Sequence, residues 1–254
     1  MSTIVIEVVP QGIIFGADRN RTQTNPDTGE QSQIQVTKVR KSANEKVLIG
    51  SIGCGVIAGK SAQDWLVEFV DAREGLTLEQ LAKEVKESVE KERKKADGAN
   101  PREQIINLAG FVEADGIMIP SVRYISNCWS LVNGNYEDVR AEFGEFPDVF
   151  RLNLSVAPAV IKPILETLAK DFNPFWFHHS IGLTDFNILK SFLKQSLQII
   201  SKENNRVIPN TLADWEKQVR MSVLVYGAFF EAFSPPGQQY VGGGADVISL
   251  PWPN

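Results

Sequence analysis

The chain enters an apolar, β-branched run at Thr3–Val9, breaks at Pro10-Gln11 and resumes at Gly12–Ala17. Two Val/Ile-rich runs separated by turn formers predict a hairpin. Residues Thr22–Ser32 are polar or turn-forming and predict a loop. Gln33–Arg40 sets Ile34, Val36 and Lys38 on one side, and Lys46–Ile52 is apolar, which predicts a second hairpin turning at Ser42–Glu45. The glycine-rich turn Gly50–Gly55 leads into a helix over about Ala58–Ala72, with Leu66, Phe69 and Val70 on one face. A second helix starts near Thr77. Thr77 and Gln80 make a capping-box pattern, and Leu78, Leu81, Val85 and Val89 recur at helical spacing. The charged stretch Glu84–Lys95 predicts a solvated outer face, and Asp97-Gly98-Ala99-Asn100-Pro101 ends the helix.

Strands are predicted again at Ile105–Val112 and Gly116–Ile125, joined by a turn at Glu113–Gly116. Asn127–Asn153 reads as less regular. Helices follow at about Ala157–Asp171, Thr184–Lys202 and Leu212–Phe233, and a glycine-rich turn and strand at Tyr240–Leu250 close the pattern. Pro158 suits a first helical turn, whereas Pro163 predicts a kink. Trp215, Val219, Val223, Tyr226 and Phe230 recur at helical spacing and suit either a core or an interface. Strands grouped in hairpins, not alternated singly with helices, argue against Rossmann and TIM architectures. They predict an α+β domain of antiparallel sheets flanked by helices, spanning residues 1–254 without an internal repeat.

Composition narrows the chemistry. At 254 residues and 28.2 kDa, with 43% hydrophobic and 22% charged residues, the chain has an ordinary globular balance. A net charge of −5 argues against a dedicated nucleic-acid binder. The two histidines, His178 and His179, are adjacent, and Cys54 and Cys128 form no CxxC pair. That spacing argues against a His/Cys zinc site, and no cofactor is expected. The triple glycine Gly242–Gly244 lacks the Lys and helix of a phosphate loop, so it reads as a tight turn. No apolar stretch reaches the ~18 residues a membrane helix needs, and the start shows no secretory signal. A cytoplasmic location is expected. Ser2 after Met1 suits removal of the initiator, which leaves a free α-amine.

Four segments then stand together: Ser2-Thr3-Ile4-Val5, Gly12-Ile13-Ile14-Phe15-Gly16-Ala17-Asp18-Arg19, Thr37-Lys38-Val39-Arg40 and Gly50-Ser51-Ile52-Gly53. In this order and near-register they resemble proteasome β-type subunits, and the stretch from Thr37 to Gly55 is similar to the bacterial peptidase HslV. These are N-terminal-nucleophile hydrolases with a four-layer αββα sandwich, an order the pattern above follows to about residue 125. The resemblance puts the nucleophile on Ser2, the buried Asp on Asp18 and the catalytic Lys on Lys38. It puts the oxyanion-stabilising amide on Ile52 or Gly53, and Arg21, Gly50 and Cys54 along a substrate site. It implies a peptide or protein substrate, a homo-oligomeric ring built through the helical layers, and an ATPase or other regulator.

The chemistry implied is consistent with the histidine poverty. A Ser hydroxyl needs a base, and an α-amine with a pKa near 8 supplies one. Lys38 would bias that amine toward its neutral form, Asp18 would hold Lys38, and a backbone N–H would stabilise the oxyanion. Taken singly, Asp18 also reads as a turn residue and Lys38 as a strand-edge lysine. The second half departs from the pattern. Gln238 and Val241 stand where active family members carry an Asp and a Ser that brace the amine, and a mid-chain Ser-Gly element is not evident. Three readings follow: a peptidase or amidase acting through an acyl-enzyme at Ser2, an impaired ring subunit serving as scaffold or binding module, and an amidase or transpeptidase for one small substrate.

Overall fold

A computed structural model describes residues 2–24, 28–98, 100–132, 135–146, 156–171, 173–181, 191, 195–196, 199, 209–233 and 241–253. The strands are β1 (Ser2–Val9), β2 (Gly12–Asp18), β3 (Asn20–Thr24), β4 (Gln31–Gln35), β5 (Val39–Lys41), β6 (Leu48–Gly53), β7 (Val56–Ile57) and β8 (Lys60–Ser61). They continue as β9 (Gln104–Ala114), β10 (Ile117–Val132), β11 (Asn135–Phe146), β12 (Phe175–Ile181) and β13 (Ala245–Pro251). The helices are α1 (Ala62–Asp71), α2 (Leu78–Asp97), α3 (Pro158–Lys170) and α4 (Leu212–Phe233).

Two antiparallel sheets face each other, one ordered β12-β1-β2-β13 and the other β11-β10-β9-β6-β5. Strand alternation decides what lies between them. Ile4, Ile6, Val8, Ile13, Phe15 and Ala17 meet Val39, Leu48, Ile52, Ile105, Ala109 and Val122 in the inter-sheet core. The intervening residues point outward. Ile49, Ile106 and Leu108 pack under Leu66 of α1 and Leu81, Val85 and Val89 of α2. On the other side Val5, Val9 and Ile14 pack under Trp215, Val219, Val223 and Tyr226 of α4. The result is the expected four-layer αββα sandwich. Helix α3 closes one side, its Ile161 and Leu165 reaching the inter-sheet core.

Local chemistry accounts for the boundaries. Thr77 and Gln80 form the reciprocal capping box at the start of α2. Asp115 and Gly116 take positive φ of 53° and 75°, the tight turn that joins β9 to β10. Helix α1 begins later than its periodicity predicts. The β7–β8 hairpin turns at Ala58-Gly59 first, and Ser61 then accepts from the Asp64 amide as N-cap.

Three elements differ from the sequence expectation. The polar loop contains a hairpin, β3 with β4, whose polar residues give no one-sided apolar pattern because neither face is buried in a core. The region after Asn127 is two long paired strands, its register shifts between Ser126 and Leu131 having broken the alternation. Phe175–Ile181 is a strand covering the outer edge of β1, with the backbones of His178 and His179 opposite Val5 and Ile4. Helix α3 continues through Pro163. Most of the predicted Thr184–Lys202 helix lies outside the described residues. Among the described residues, no helix is long and apolar enough to cross a membrane, and no His/Cys/Asp/Glu group could hold a metal ion.

Candidate active site

The start of β1, the end of β2, the start of β5 and the end of β6 meet at one end of the sandwich. Ser2 opens β1 and is half-buried. It shares the alternation of Ile4 and Ile6, so its side chain faces the mouth between the sheets. Gly50 and Ile52 face the same gap from β6. A Cβ on Gly50 would stand 3.1 Å from Ile4 Cδ1 and 3.3 Å from the Phe15 ring, so glycine lets the two sheets approach here.

Asp18 is fully buried at the end of β2. Its Oδ1 accepts from the Thr3 amide at 2.8 Å and from Lys38 Nζ at 2.7 Å. Lys38 Nζ also donates to the Asn20 carbonyl at 2.5 Å. The ion pair is thereby tied to the backbone one residue from Ser2. Burial pushes the Asp18 carboxyl above its ordinary value and the Lys38 ammonium below its own, while their mutual attraction and hydrogen bond oppose both shifts. The nearby Arg21 charge pushes Lys38 down further.

The ladder of β6 decides which amide is open. The amide of Cys54 donates to the Glu103 carbonyl, and the amide of Ser51 donates to the Lys38 carbonyl. In an antiparallel strand the hydrogen-bonding direction alternates. Even-numbered residues of β6 therefore address β9, and Ile52 is engaged opposite Ile105. Odd-numbered residues address β5, so the Gly53 N–H points toward the Lys38 side. Val36 would stand opposite it if the ladder continued. The chain leaves the sheet there instead, and Val36 donates to the carbonyl of Arg19, which lies between β2 and β3. Of the two amides considered from the sequence, Gly53 is the one that points away from β9, toward the side where the β5 ladder has ended. Gly53 has φ of 95°, and a Cβ would stand 2.2 Å from the Glu103 carbonyl oxygen, so the position requires glycine.

The remaining expected residues divide. Arg21, on β3, lies over Gly55 and directs Nη1 to its carbonyl at 3.4 Å, beside Lys38. Cys54 turns toward α2. Its thiol contacts the Val56 carbonyl and receives the Arg93 Nη1 donor at 2.8 Å. Arg93 is itself buried and paired with Asp97, an exception to the solvated face expected for this stretch. Val241 is buried against Val5, Val223 and Tyr226, an apolar packing position with no hydroxyl to offer. Gln238 lies outside the described residues, as does Met1.

Sequence reading missed a polar layer beneath the gap. Gln104 is fully buried, and its Nε2 donates to Ser51 Oγ at 2.6 Å and to the Ile52 carbonyl at 3.1 Å. Its amide donates to Asn127 Oδ1, and Gln63 of α1 donates to the Ser51 carbonyl. Buried Gln and Asn inside apolar strands were the available signal, since such groups persist only when hydrogen-bonded.

No family model matches the chain, and no curated protein matches it. A solved structure similar to it is the Anbu (Gly-1) mutant from Hyphomicrobium sp. strain MC1. The likeness has a TM-score of 0.46 and 13% identity, over 99% of this chain and 82% of that chain. It is too distant to bear on function, and the αββα arrangement stands on the packing described above. The expected membership of the proteasome β-type and HslV group is accordingly corrected. Its motifs are short and lie around one end of the sandwich, where the geometry of the two sheets constrains them. No family model or curated sequence supports that membership.

Proposed function

We propose that this chain, once Met1 is removed, is an N-terminal-nucleophile hydrolase of amide bonds. The observation that carries the reading is the buried Lys38–Asp18 pair, 2.7 Å apart, whose carboxylate also holds the Thr3 amide. A buried charge pair is costly unless well hydrogen-bonded, and this one is bonded to the backbone amide that follows Ser2. Ser2 Oγ attacks the substrate carbonyl carbon and its proton passes to the Ser2 α-amine. The Gly53 N–H receives the oxyanion. The C–N bond breaks, the leaving amine takes the proton, and an acyl-ester on Ser2 remains for water to hydrolyse. The positive charge of Lys38 favours the neutral amine that must act as base.

A second reading, a binding or scaffolding protein of the same fold, is favoured by Val241, an apolar residue where the resemblance expects a hydroxyl bracing the amine. Self-association is part of both readings. Met221, Leu224 and Phe229 are exposed apolar residues on α4.

Intact mass of the purified protein, followed by a β-lactone, decides between them. The hydrolase reading expects loss of Met1 and a covalent adduct on Ser2 that Ser2→Ala abolishes. Retained Met1, or equal labelling of Ser2→Ala, sinks it.

A further inference from the structure

Gln104 sits on β9, beneath the turn that carries Gly53, and it is fully buried. Its side-chain amide touches two groups of β6, Ser51 Oγ and the Ile52 carbonyl. The carbonyl can only accept, so it fixes the side-chain amide with nitrogen toward β6. That orientation has a cost. Gln104 Oε1 is buried and without a hydrogen-bond partner among the described residues. A fully buried amide oxygen left unpaired carries an uncompensated desolvation penalty, so the site tolerates a cost to keep this contact.

The contact bears on the open amide because both belong to one peptide unit. No peptide bond of the described chain is cis, and in a trans peptide the carbonyl and the N–H point in opposite directions. The ladder at Ile105 and the Gln104 side chain together hold the Ile52 oxygen toward β9, and that holds the Gly53 N–H toward the start of β5. The preceding peptide is clamped in the same way, since Gln63 from α1 donates to the Ser51 carbonyl at 3.1 Å. Gln104 is in turn fixed through its own N–H by Asn127 at 2.8 Å, whose Nδ2 is shared between the Arg102 and Arg140 carbonyls at 3.0 and 2.9 Å. Beyond Ser51 the ladder to β5 ends, so among the described residues no ladder bond from that side holds the peptide plane.

We infer that Gln104 is a positioning residue that aims the Gly53 N–H at the oxyanion formed on Ser2 acylation, with Gln63 supporting the preceding peptide. The inference rests on the hydrolase reading above and adds a residue that touches neither substrate nor nucleophile. Because it acts on one donor, its effect falls on the step that develops negative charge. The protonation of the Ser2 amine is set by Asp18, on the other sheet, and by Lys38, just before β5, and the Gln104 side chain bonds to neither.

The test is the rate of Ser2 acylation by p-nitrophenyl acetate across pH, followed by intact mass, in wild type, Gln104→Leu and Gln63→Leu. For Gln104→Leu the plateau rate falls by at least about 10-fold, bounded by the roughly 100–1,000-fold cost of deleting a whole oxyanion donor. The pH midpoint stays in place, and Gln63→Leu shows a smaller fall with the same midpoint. A plateau unchanged in both variants overturns the inference, as does a fall accompanied by a shifted midpoint, which would mark a general disturbance of the site. If Gln104→Leu does not fold, Gln63→Leu and Gln104→Met carry the same comparison. Wild type that is never acylated at Ser2 overturns the hydrolase reading and this inference together; acylated wild type with indifferent variants overturns this inference alone.

Discussion

On the proposed reading Ser2 is deprotonated by its own α-amine, so its reactivity depends on the protonation of that amine. Acylation should rise with pH as that amine loses its proton, with a midpoint at or below about 8, because the Lys38 charge favours the neutral form. A pH–rate profile checks this, and a midpoint well above that value would contradict it. The buried pair makes a second claim. Asp18→Asn leaves the Lys38 ammonium in a site 3% exposed without its counter-charge. It should destabilise the fold by about 3–5 kcal/mol, and adding Lys38→Met should recover much of the loss. The pH dependence of that term follows from the two shifts. A carboxyl whose folded pKa is raised holds its proton more tightly folded than unfolded, so its stabilising contribution declines as pH climbs above the ordinary 3.8. A lysine whose folded pKa is lowered does the reverse, and stability grows as pH climbs through its folded value toward 10.5. Denaturant unfolding of wild type against the double variant isolates both slopes.

At the scale of the element, two local devices set the geometry. Helix α2 is anchored by the Thr77–Gln80 capping box, and its apolar stripe covers the outer face of the second sheet. Thr77→Ala should cost about 1 kcal/mol and lower the melting temperature without altering Ser2 reactivity, since the helix start lies at the opposite end of that sheet. The end of β6 depends on glycine. Gly53→Ala adds a Cβ that would stand 2.2 Å from the Glu103 carbonyl oxygen at a φ of 95°. Destabilisation by at least about 1 kcal/mol is expected, with a fall in acylation because the peptide plane must rotate. Thermal melts and acylation rates on both variants separate the two effects. Only Gly53→Ala should change chemistry.

At the scale of the molecule, the sandwich brings together two charged groups from different sheets. Asp18 comes from the sheet under α4 and Lys38 from the sheet under α1 and α2, and their ion pair joins the two layers at the gap. The outer layers differ in finish. One face of α2 is charged, whereas α4 exposes Met221, Leu224 and Phe229. Light scattering is expected to give a multiple of 28.2 kDa, and Leu224→Glu with Phe229→Glu is expected to reduce it to a single chain. A wild-type mass of one chain would remove self-association from the functional reading.

The hairpins at Thr3–Ala17 and Ile105–Ile125, the capping of α2 and the stripe of α4 were legible because each is written in adjacent residues: alternation, turn formers and helical spacing. Ser2, Asp18 and Lys38 were legible only as spaced motifs. Short motifs of that kind suggested a candidate site without establishing the lineage they resembled. The polar β3–β4 hairpin, the edge strand β12 and the paired β10 and β11 strands were not legible, since no regular apolar alternation marks them locally. Three features of the site were settled by tertiary contact alone. The Gly53 N–H rather than that of Ile52 points away from β9 because the ladder phase on β6 is set by partners on β5 and β9. Cys54 turns to Arg93, which α2 brings from almost forty residues away in the chain. Gln104 reaches the Ile52 carbonyl because β9 is the strand that pairs with β6. Hydrogen-bonding direction and long-range pairing are properties of the assembled sheets, so the sequence determined which groups the protein carries and the fold determined where they point.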